Sequence, residues 1–236
     1  MKAVILAGGL GTRLQPYTFF IPKPMLPLGN KPLLEYTIEW LRNAGGIKEI
    51  VICVSYLHRT IEDYFEDGSR FNVNIDYARA ERPLATAGQL KTAEKMLAGD
   101  TFVCVYGDSV YEFNLRKMLK MHRESEAFVS MALMHYSTKL KYGFIDVGDG
   151  NEITGWREKP EISGLINIGC YVMDPGFLKS IPKAGSFGMD DAVRNVLAQK
   201  KKVRAFEVEG SGFIDIGDKK SYLDAYKQFA SRLGKI

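Results

Sequence analysis

Leu6-Ala7-Gly8-Gly9-Leu10-Gly11-Thr12-Arg13-Leu14, with Pro22-Lys23-Pro24 a short way downstream, follows directly on an apolar run, Lys2 to Leu6, that reads as a strand. Three closely spaced glycines, Gly8, Gly9 and Gly11, let a backbone turn tightly and aim its N–H groups at an anion, while Arg13 and Lys23 supply cations. Strand, glycine turn and flanking cations together describe a polyphosphate site. Two familiar versions of such a site do not fit. A Walker loop needs Lys-Ser/Thr after its last glycine, whereas Gly11 is followed by Thr12-Arg13. A dinucleotide fingerprint needs a third glycine where Leu14 stands, and an acid after the second strand, where Tyr56-Leu57-His58 follow Ile50 to Ser55.

The chain has 236 residues, enough for one large α/β domain with a sizeable core. Its formal charge of +4 is dispersed, and the one dense run, Lys200-Lys201-Lys202, reads as a solvated helix end, so nucleic acid is not an expected partner. No apolar stretch reaches membrane-spanning length and the N-terminus enters a strand rather than a signal peptide; a soluble, cytoplasmic protein is expected, with no membrane partner. Cys53, Cys104 and Cys170 lie inside apolar runs without zinc spacing and read as buried free thiols. His58, His122 and His135 are scattered and read as surface or packing residues.

Short β-branched runs at Val4–Leu6, Ile50–Val54, Val73–Tyr77 and Phe102–Tyr106 alternate with helical patterns. This predicts an α/β fold: a Rossmann-like, mostly parallel sheet with helices on both faces. After Asn30 a helix is expected, with Pro32 in its first turn, Leu34, Ile38 and Leu41 on one face, and Gly45 at its end. In such sheets ligands sit beyond the carboxyl ends of the strands. The glycine loop follows the first strand and Gly107-Asp108 the fourth, which predicts one shared crevice. Gly212-Phe213-Ile214-Asp215-Ile216-Gly217 places a second acid on a short apolar run. Asp108 and Asp215 beside a triphosphate would make a Mg²⁺ site, since this ion needs only one or two protein carboxylates with phosphate and water completing its shell.

Taken in order, these motifs resemble the sugar-1-phosphate nucleotidyltransferases, which make nucleoside-diphosphate sugars from an NTP and a sugar-1-phosphate. The resemblance runs nearly end to end. It rests on the Leu6 to Leu14 loop with Pro16 and Thr18, Pro22 to Pro27, Gly107-Asp108, Tyr142-Gly143, Glu158-Lys159-Pro160, Asn167 to Tyr171 and Gly212 to Gly217. It implies a glycosyltransferase-A-like nucleotidyltransferase fold and Mg²⁺ as cofactor. It further implies that Leu6, Ala7, Gly8, Gly9, Gly11 and Thr12 form the nucleotide loop, that Arg13 neutralises the departing pyrophosphate, and that Lys23 holds the α-phosphate. Arg13, Lys23 and Asp108 would be catalytic, with Asp108 and Asp215 on the metal. The attacking atom is an already anionic phosphate oxygen, so no histidine or serine base is needed.

The resemblance places the sugar phosphate against Tyr142, Gly143, Glu158, Lys159 and Asn167, the lysine pairing with phosphate and the glutamate accepting from hydroxyls. It places the base against the first loop and a segment, Glu81 to Gln89, that includes Glu81, Ala85 and Gly88. Glu81 can only accept, which suits the adjacent donors of guanine and, with one fewer, the imide of thymine or uracil. Three positions depart from the family pattern: Ala85 for glycine, Phe213 for tryptophan and Asp218 for threonine.

Residues 1–125 are expected to form the nucleotide-binding core and 126–236 the sugar-phosphate-binding part of one domain. Hairpin-like strands between Phe128 and Tyr171 turn at Gly148-Asp149-Gly150-Asn151. No hexapeptide repeat of a C-terminal β-helix is visible after the helix expected from Lys219 to Leu233. The look is nearest to mannose- or heptose-1-phosphate guanylyltransferases. Glucose-1-phosphate thymidylyl- or uridylyltransferases are the alternative, as is an idle, ligand-binding regulatory relative. NTP and sugar-1-phosphate are the expected partners, together with a possible homo-oligomer as in relatives.

Overall fold

The computed structural model describes residues 1–97, 99–210 and 212–232. The opening apolar run is β1 (Lys2–Leu6). Beyond the glycine loop a two-residue antiparallel pair, β2 (Pro27–Leu28) and β3 (Lys31–Pro32), leads into α1 (Leu33–Trp40). The helix widens into a π-type turn over Leu41–Gly45, and Gly46, at φ 70°, takes the left-handed terminating position expected of Gly45. Next come β4 (Glu49–Val54), α2 (His58–Phe65), β5 (Asn74–Arg79), α3 (Thr86–Thr92), β6 (Phe102–Tyr106) and the short β7 (Ser109–Tyr111). α4 (Leu115–Glu124) starts at Asn114, whose Oδ1 accepts from the Lys117 N–H at 3.2 Å.

Later in the chain, β8 (Val129–Lys139) and β11 (Glu161–Met173) flank a hairpin of β9 (Phe144–Val147) and β10 (Ile153–Arg157). The hairpin turns at Asp149–Asn151, with Gly150 at φ 79°. α5 (Met189–Ala198), β12 (Val203–Glu207), β13 (Phe213–Asp215) and α6 (Lys219–Arg232) complete the order. The Leu233 end expected for the last helix lies outside the described residues.

Seven strands form one sheet in the order β12-β8-β11-β6-β1-β4-β5, drawing on both halves of the chain. β11 runs antiparallel to both β8 and β6, and the remaining neighbours pair in parallel. Strand alternation divides the core cleanly. Ala3 and Ile5 face a cluster with Leu34, Ile38, Ile61, Phe65 and Met118, from α1, α2 and α4. Val4 and Leu6 face a cluster with Ala87, Leu90, Met189 and Val196, from α3 and α5. Helices therefore cover both faces, which is why the central strands read as unbroken apolar runs. Cys53, Cys104 and Cys170 sit fully inside this core as free thiols.

A third apolar cluster, Leu14, Leu26, Leu28, Leu33, Val110, Ile216, Ala225 and Phe229, packs α6 and β13 behind the glycine loop. It anchors both flanks of the cleft described next. Among the described residues no helix is long and apolar enough to cross a membrane.

Candidate active site

A cleft of about 700 Å³ opens beyond the carboxyl ends of β1 and β6. One wall is the glycine loop: Leu6, Ala7, Gly9, Gly11, Thr12 and Arg13 line it, with Lys23 beside them. The floor carries Tyr106 and Asp108, and the far side Asn167 of β11 and Asp215 of β13. Residues from Leu6 to Asp215 are thus gathered by the sheet order and the separate β7/β13 pairing.

The loop owes its shape to its own side chains. Gly11 lies at φ 62°, and a Cβ there would sit 2.8 Å from Thr18 Cγ2, so only glycine fits. Thr18 is buried and donates through Oγ1 to the Gly11 carbonyl at 2.9 Å, folding the following segment back onto the turn. Buried Leu14 then pins the chain, leaving Arg13 exposed at the cleft. Gly8 differs from its neighbours. Its N–H donates to Gln89 Oε1 at 2.9 Å, so this amide is already spent inside the protein.

Pro22-Lys23-Pro24 enters a tight turn over Lys23–Met25, whose Pro24 and Met25 are buried and draw Lys23 inward to 7% exposure. A charge this buried requires a partner, and Lys23 Nζ finds Asp108 Oδ2 at 2.5 Å. Asp108 is set by backbone continuity: Gly107 N donates to the Leu6 carbonyl at 3.0 Å, carrying the β1/β6 ladder one residue further. A Cβ on Gly107 would lie 3.0 Å from Ile5 Cγ2 and 3.2 Å from the Leu6 carbonyl, which explains the glycine. Asp215 reaches the same cleft because it pairs with Ser109 in the antiparallel β7/β13 ribbon. Two carboxylates from adjacent register positions are hard oxygen donors that fit Mg²⁺. Among the described residues no set of three or more His, Cys, Asp or Glu groups converges, so further ligands would come from phosphate and water.

Next to this pair, Asp218 and Ser221 bond reciprocally at the start of α6: the Ser221 N–H donates to Asp218 Oδ1 at 2.9 Å and the Asp218 N–H to Ser221 Oγ at 3.0 Å. The Ser221 hydrogen bonds, with Arg13's charge as a smaller contribution, hold the Asp218 carboxyl below its usual range. Asp218, one of the three departures from the family pattern, therefore sits within the field of Arg13.

On the sheet side, β11 bulges between Asn167 and Tyr171. Asn167 Oδ1 accepts from the Gly169 N–H at 3.0 Å and its Nδ2 donates to Tyr171 Oη at 2.5 Å, so the side chain braces the bulge as well as facing the cleft. Gly169 has φ 72°, and a Cβ there would be only 2.5 Å from the Tyr106 ring. Tyr111 Oη ties the bulge down by donating to the Gly169 carbonyl at 3.1 Å. Burial pushes the Tyr106 and Tyr171 phenols up, so both stay protonated at neutral pH.

Other sequence candidates lie outside the cleft lining. Glu81 is exposed on the approach to α3. The Ala85 N–H donates to Ser186 Oγ at 3.2 Å and the Gly88 N–H to the Phe187 carbonyl at 3.0 Å, tying this segment to the chain before α5. Tyr142, Gly143, Glu158 and Lys159 gather instead at the exposed β9/β10 hairpin. Trp156 Nε1 donates to Glu158 Oε2 at 3.1 Å, and Lys159 Nζ lies 3.9 Å from Glu158 Oε1. A Cβ on Gly143 would approach Glu158 Oε2 to 2.8 Å, so Gly143, Glu158 and Lys159 form one cluster, and Tyr142, next to Gly143 in the chain, is 78% exposed.

Sequence reasoning missed Tyr106, Met134, Tyr136 and Ile166 and did not single out Thr86 and Gln89 within the Glu81 to Gln89 segment, although all six are on the cleft. Two signals were available. Met134 and Tyr136 are alternate residues of one strand, with Ile166 opposite Met134, and Gln89 is a polar residue between apolar Ala87 and Leu90.

Comparison with known proteins agrees with this architecture. A D-glycero-alpha-D-manno-heptose 1-phosphate guanylyltransferase of Aneurinibacillus thermoaerophilus is 33% identical over 231 residues, covering 97% of this chain and 98% of the relative. A UTP–glucose-1-phosphate uridylyltransferase of Synechocystis sp. is also 33% identical, over 98% of this chain, which spans 64% of that relative's length. The crystal structure of HddC from Yersinia pseudotuberculosis complexed with GMP-PN superposes with a TM-score of 0.75 at 27% identity, covering 97% of this chain and 99% of that one. The family model described as Nucleotidyl transferase matches residues 2–232, and the chain belongs to that family.

Proposed function

We propose that the protein joins an NTP to a sugar-1-phosphate, releasing pyrophosphate, with GTP and mannose- or heptose-1-phosphate as the preferred pair. The observation that carries this reading is the convergence of the glycine loop, Arg13, the Lys23–Asp108 pair and Asp215 on one cleft. The free loop N–H groups bind the triphosphate and Arg13 meets the charge that develops on the leaving pyrophosphate. Lys23 moves its ammonium between Asp108 and the α-phosphate. The sugar phosphate supplies its own nucleophilic oxygen, so the chain contributes orientation and charge neutralisation. Asp108 and Asp215 would hold Mg²⁺, which when bound supplies further positive charge to the phosphates. Glu158 and Lys159, with Tyr142 and Gly143, receive the sugar phosphate from the hairpin side, while Glu81 and the Ala85–Gly88 segment meet the base.

The guanylyl preference is supported by the full-length match to a heptose-1-phosphate guanylyltransferase and by Glu81 as an acceptor for guanine donors. Equal identity to a uridylyltransferase makes UTP with glucose-1-phosphate the second reading. The test is pyrophosphate release with Mg²⁺ over a grid of GTP, UTP, dTTP, CTP and ATP against mannose-, glucose-, N-acetylglucosamine-, galactose- and heptose-1-phosphates. Signal is expected in a guanine cell. Signal only in the UTP–glucose cell selects the second reading, and NTP binding with no turnover anywhere selects an idle, ligand-binding relative.

A further inference from the structure

Gln89 is 6% exposed, yet it lines the cleft and bridges two chain segments beside it. Its Oε1 accepts from the Gly8 N–H at 2.9 Å, and its Nε2 donates to the Leu84 carbonyl at 3.1 Å. The amide orientation follows from the partners: a backbone N–H can only donate and a carbonyl only accept. The bridge is also sterically tight, since a Cβ on Gly8 would lie 3.0 Å from the same Oε1. The Gln89 backbone is held independently, with Thr92 Oγ1 donating to its carbonyl at 2.7 Å and its own N–H donating to the Ala85 carbonyl at 2.9 Å.

One end of this bridge is the first glycine of the phosphate loop. The other is the last residue before Ala85, at the end of the Glu81–Leu84 segment. Resting on the nucleotidyltransferase reading above, we infer that Gln89 is a positioning residue that fixes the distance between the phosphate loop and the Glu81–Leu84 stretch of the base-recognition segment. It thereby makes base identity count toward correct placement of the triphosphate. A nucleotide with the wrong base cannot satisfy both ends, because neither end shifts without breaking a hydrogen bond, buried at Gly8 and half-buried at Leu84.

The bridge is tested by titrating the full chain with GTP, UTP, dTTP, CTP, ATP and inorganic tripolyphosphate, in wild type and in Gln89→Met and Gln89→Asn. Methionine matches the length but offers neither bond; asparagine stays polar but is too short to span both partners, and it serves if the methionine variant fails to fold. In both variants the ratio between the tightest and weakest nucleotide is expected to fall about ten-fold or more, with tripolyphosphate affinity kept within about three-fold. A wild-type ratio in a folded variant, or an equal loss for all nucleotides and tripolyphosphate, overturns the proposal by reducing Gln89 to a structural residue. A wild type that binds tripolyphosphate but no nucleotide overturns the parent reading instead, and the bridge with it.

Discussion

The ammonium of Lys23 and the carboxylate of Asp108 meet at 2.5 Å although 85 residues separate them in sequence. Lys23 is nearly enclosed, its side chain 9% exposed, while that of Asp108 keeps 35%. The two partners therefore lose unequally when the pair is broken. Asp108→Asn strands a buried ammonium and is expected to cost about 1–2 kcal/mol, whereas Lys23→Met leaves a carboxylate that water can reach and costs less. Each change should reduce pyrophosphate release at least about 100-fold. The double variant should recover stability in urea titrations but not activity. Recovery of both would mean that the pair serves the fold alone.

Arg13 is exposed and outside every apolar cluster, so Arg13→Ala should shift the unfolding free energy by less than about 0.5 kcal/mol. Turnover should fall by about two orders of magnitude or more, with the loss in kcat exceeding that in binding. Parallel kinetics and thermal unfolding check both halves. A large stability loss would place Arg13 in the scaffold instead.

Gly169→Ala should destabilise the chain by about 2–4 kcal/mol, because it combines a left-handed backbone with a 2.5 Å encroachment on the Tyr106 ring. Gly164→Ala in the same strand, with open space around its Cβ position, should stay within about 0.5 kcal/mol. Urea midpoints compare them, and near-UV circular dichroism reports the displaced tyrosine.

His122 is buried with its Nδ1 2.9 Å from Ser130 Oγ. Burial holds its pKa below the usual histidine value, with Arg123 adding to the effect and Asp174 opposing it. The unfolded chain then takes up a proton at about pH 6.5, before the folded chain does. Stability should be full above that pH and fall as the pH drops toward the folded-state value. Against His122→Gln, the wild type should lose more stability between pH 7.5 and pH 5.5. Equal losses would remove His122 from the account.

Cys53, Cys104 and Cys170 are buried, and desolvation pushes the Cys53 thiol up to about 12 and the other two well above the usual thiol range. A thiol-exchange reagent at pH 8 should find no reactive group in the native chain and three after denaturation. Rapid native labelling of any one would indicate local opening of the sheet.

The features legible in the sequence were those whose cause is local. The strand before Gly8, the turn at Gly11 and the apolar central strands each carry their signal within a few residues. Asp108 and Asp215 were paired from the sequence, as acids on or after apolar runs, but the β7/β13 register through which they meet was not legible there. Gln89 belonged to a stretch the resemblance assigned to the base, and its polar position among apolar neighbours was a signal, but its bridging role was not legible because its partner Gly8 is 81 residues away. Glu158-Lys159 stood out as a motif, yet the ribbon that carries it holds the pair at the exposed hairpin, and only tertiary geometry could reveal that. The bulge at Asn167 to Tyr171 was quoted as a motif without its purpose, which emerges from Gly169 against Tyr106.

β8 and β11 run well past the main sheet: β12 leaves β8 at Leu133 and β6 pairs β11 only from Cys170 onward, so Met134–Lys139 and Glu161–Asn167 pair chiefly with each other. Most of these outer residues are solvent-exposed and none is buried, and the β9/β10 hairpin they carry has its own separate sheet. Replacing side chains on this outrigger removes almost nothing from the three apolar clusters. Selection can therefore redraw this outer surface, the one proposed above to meet the sugar phosphate, while leaving the thermodynamic foundation in the main sheet in place. In this architecture novelty and durability reside in different strands of the same sheet.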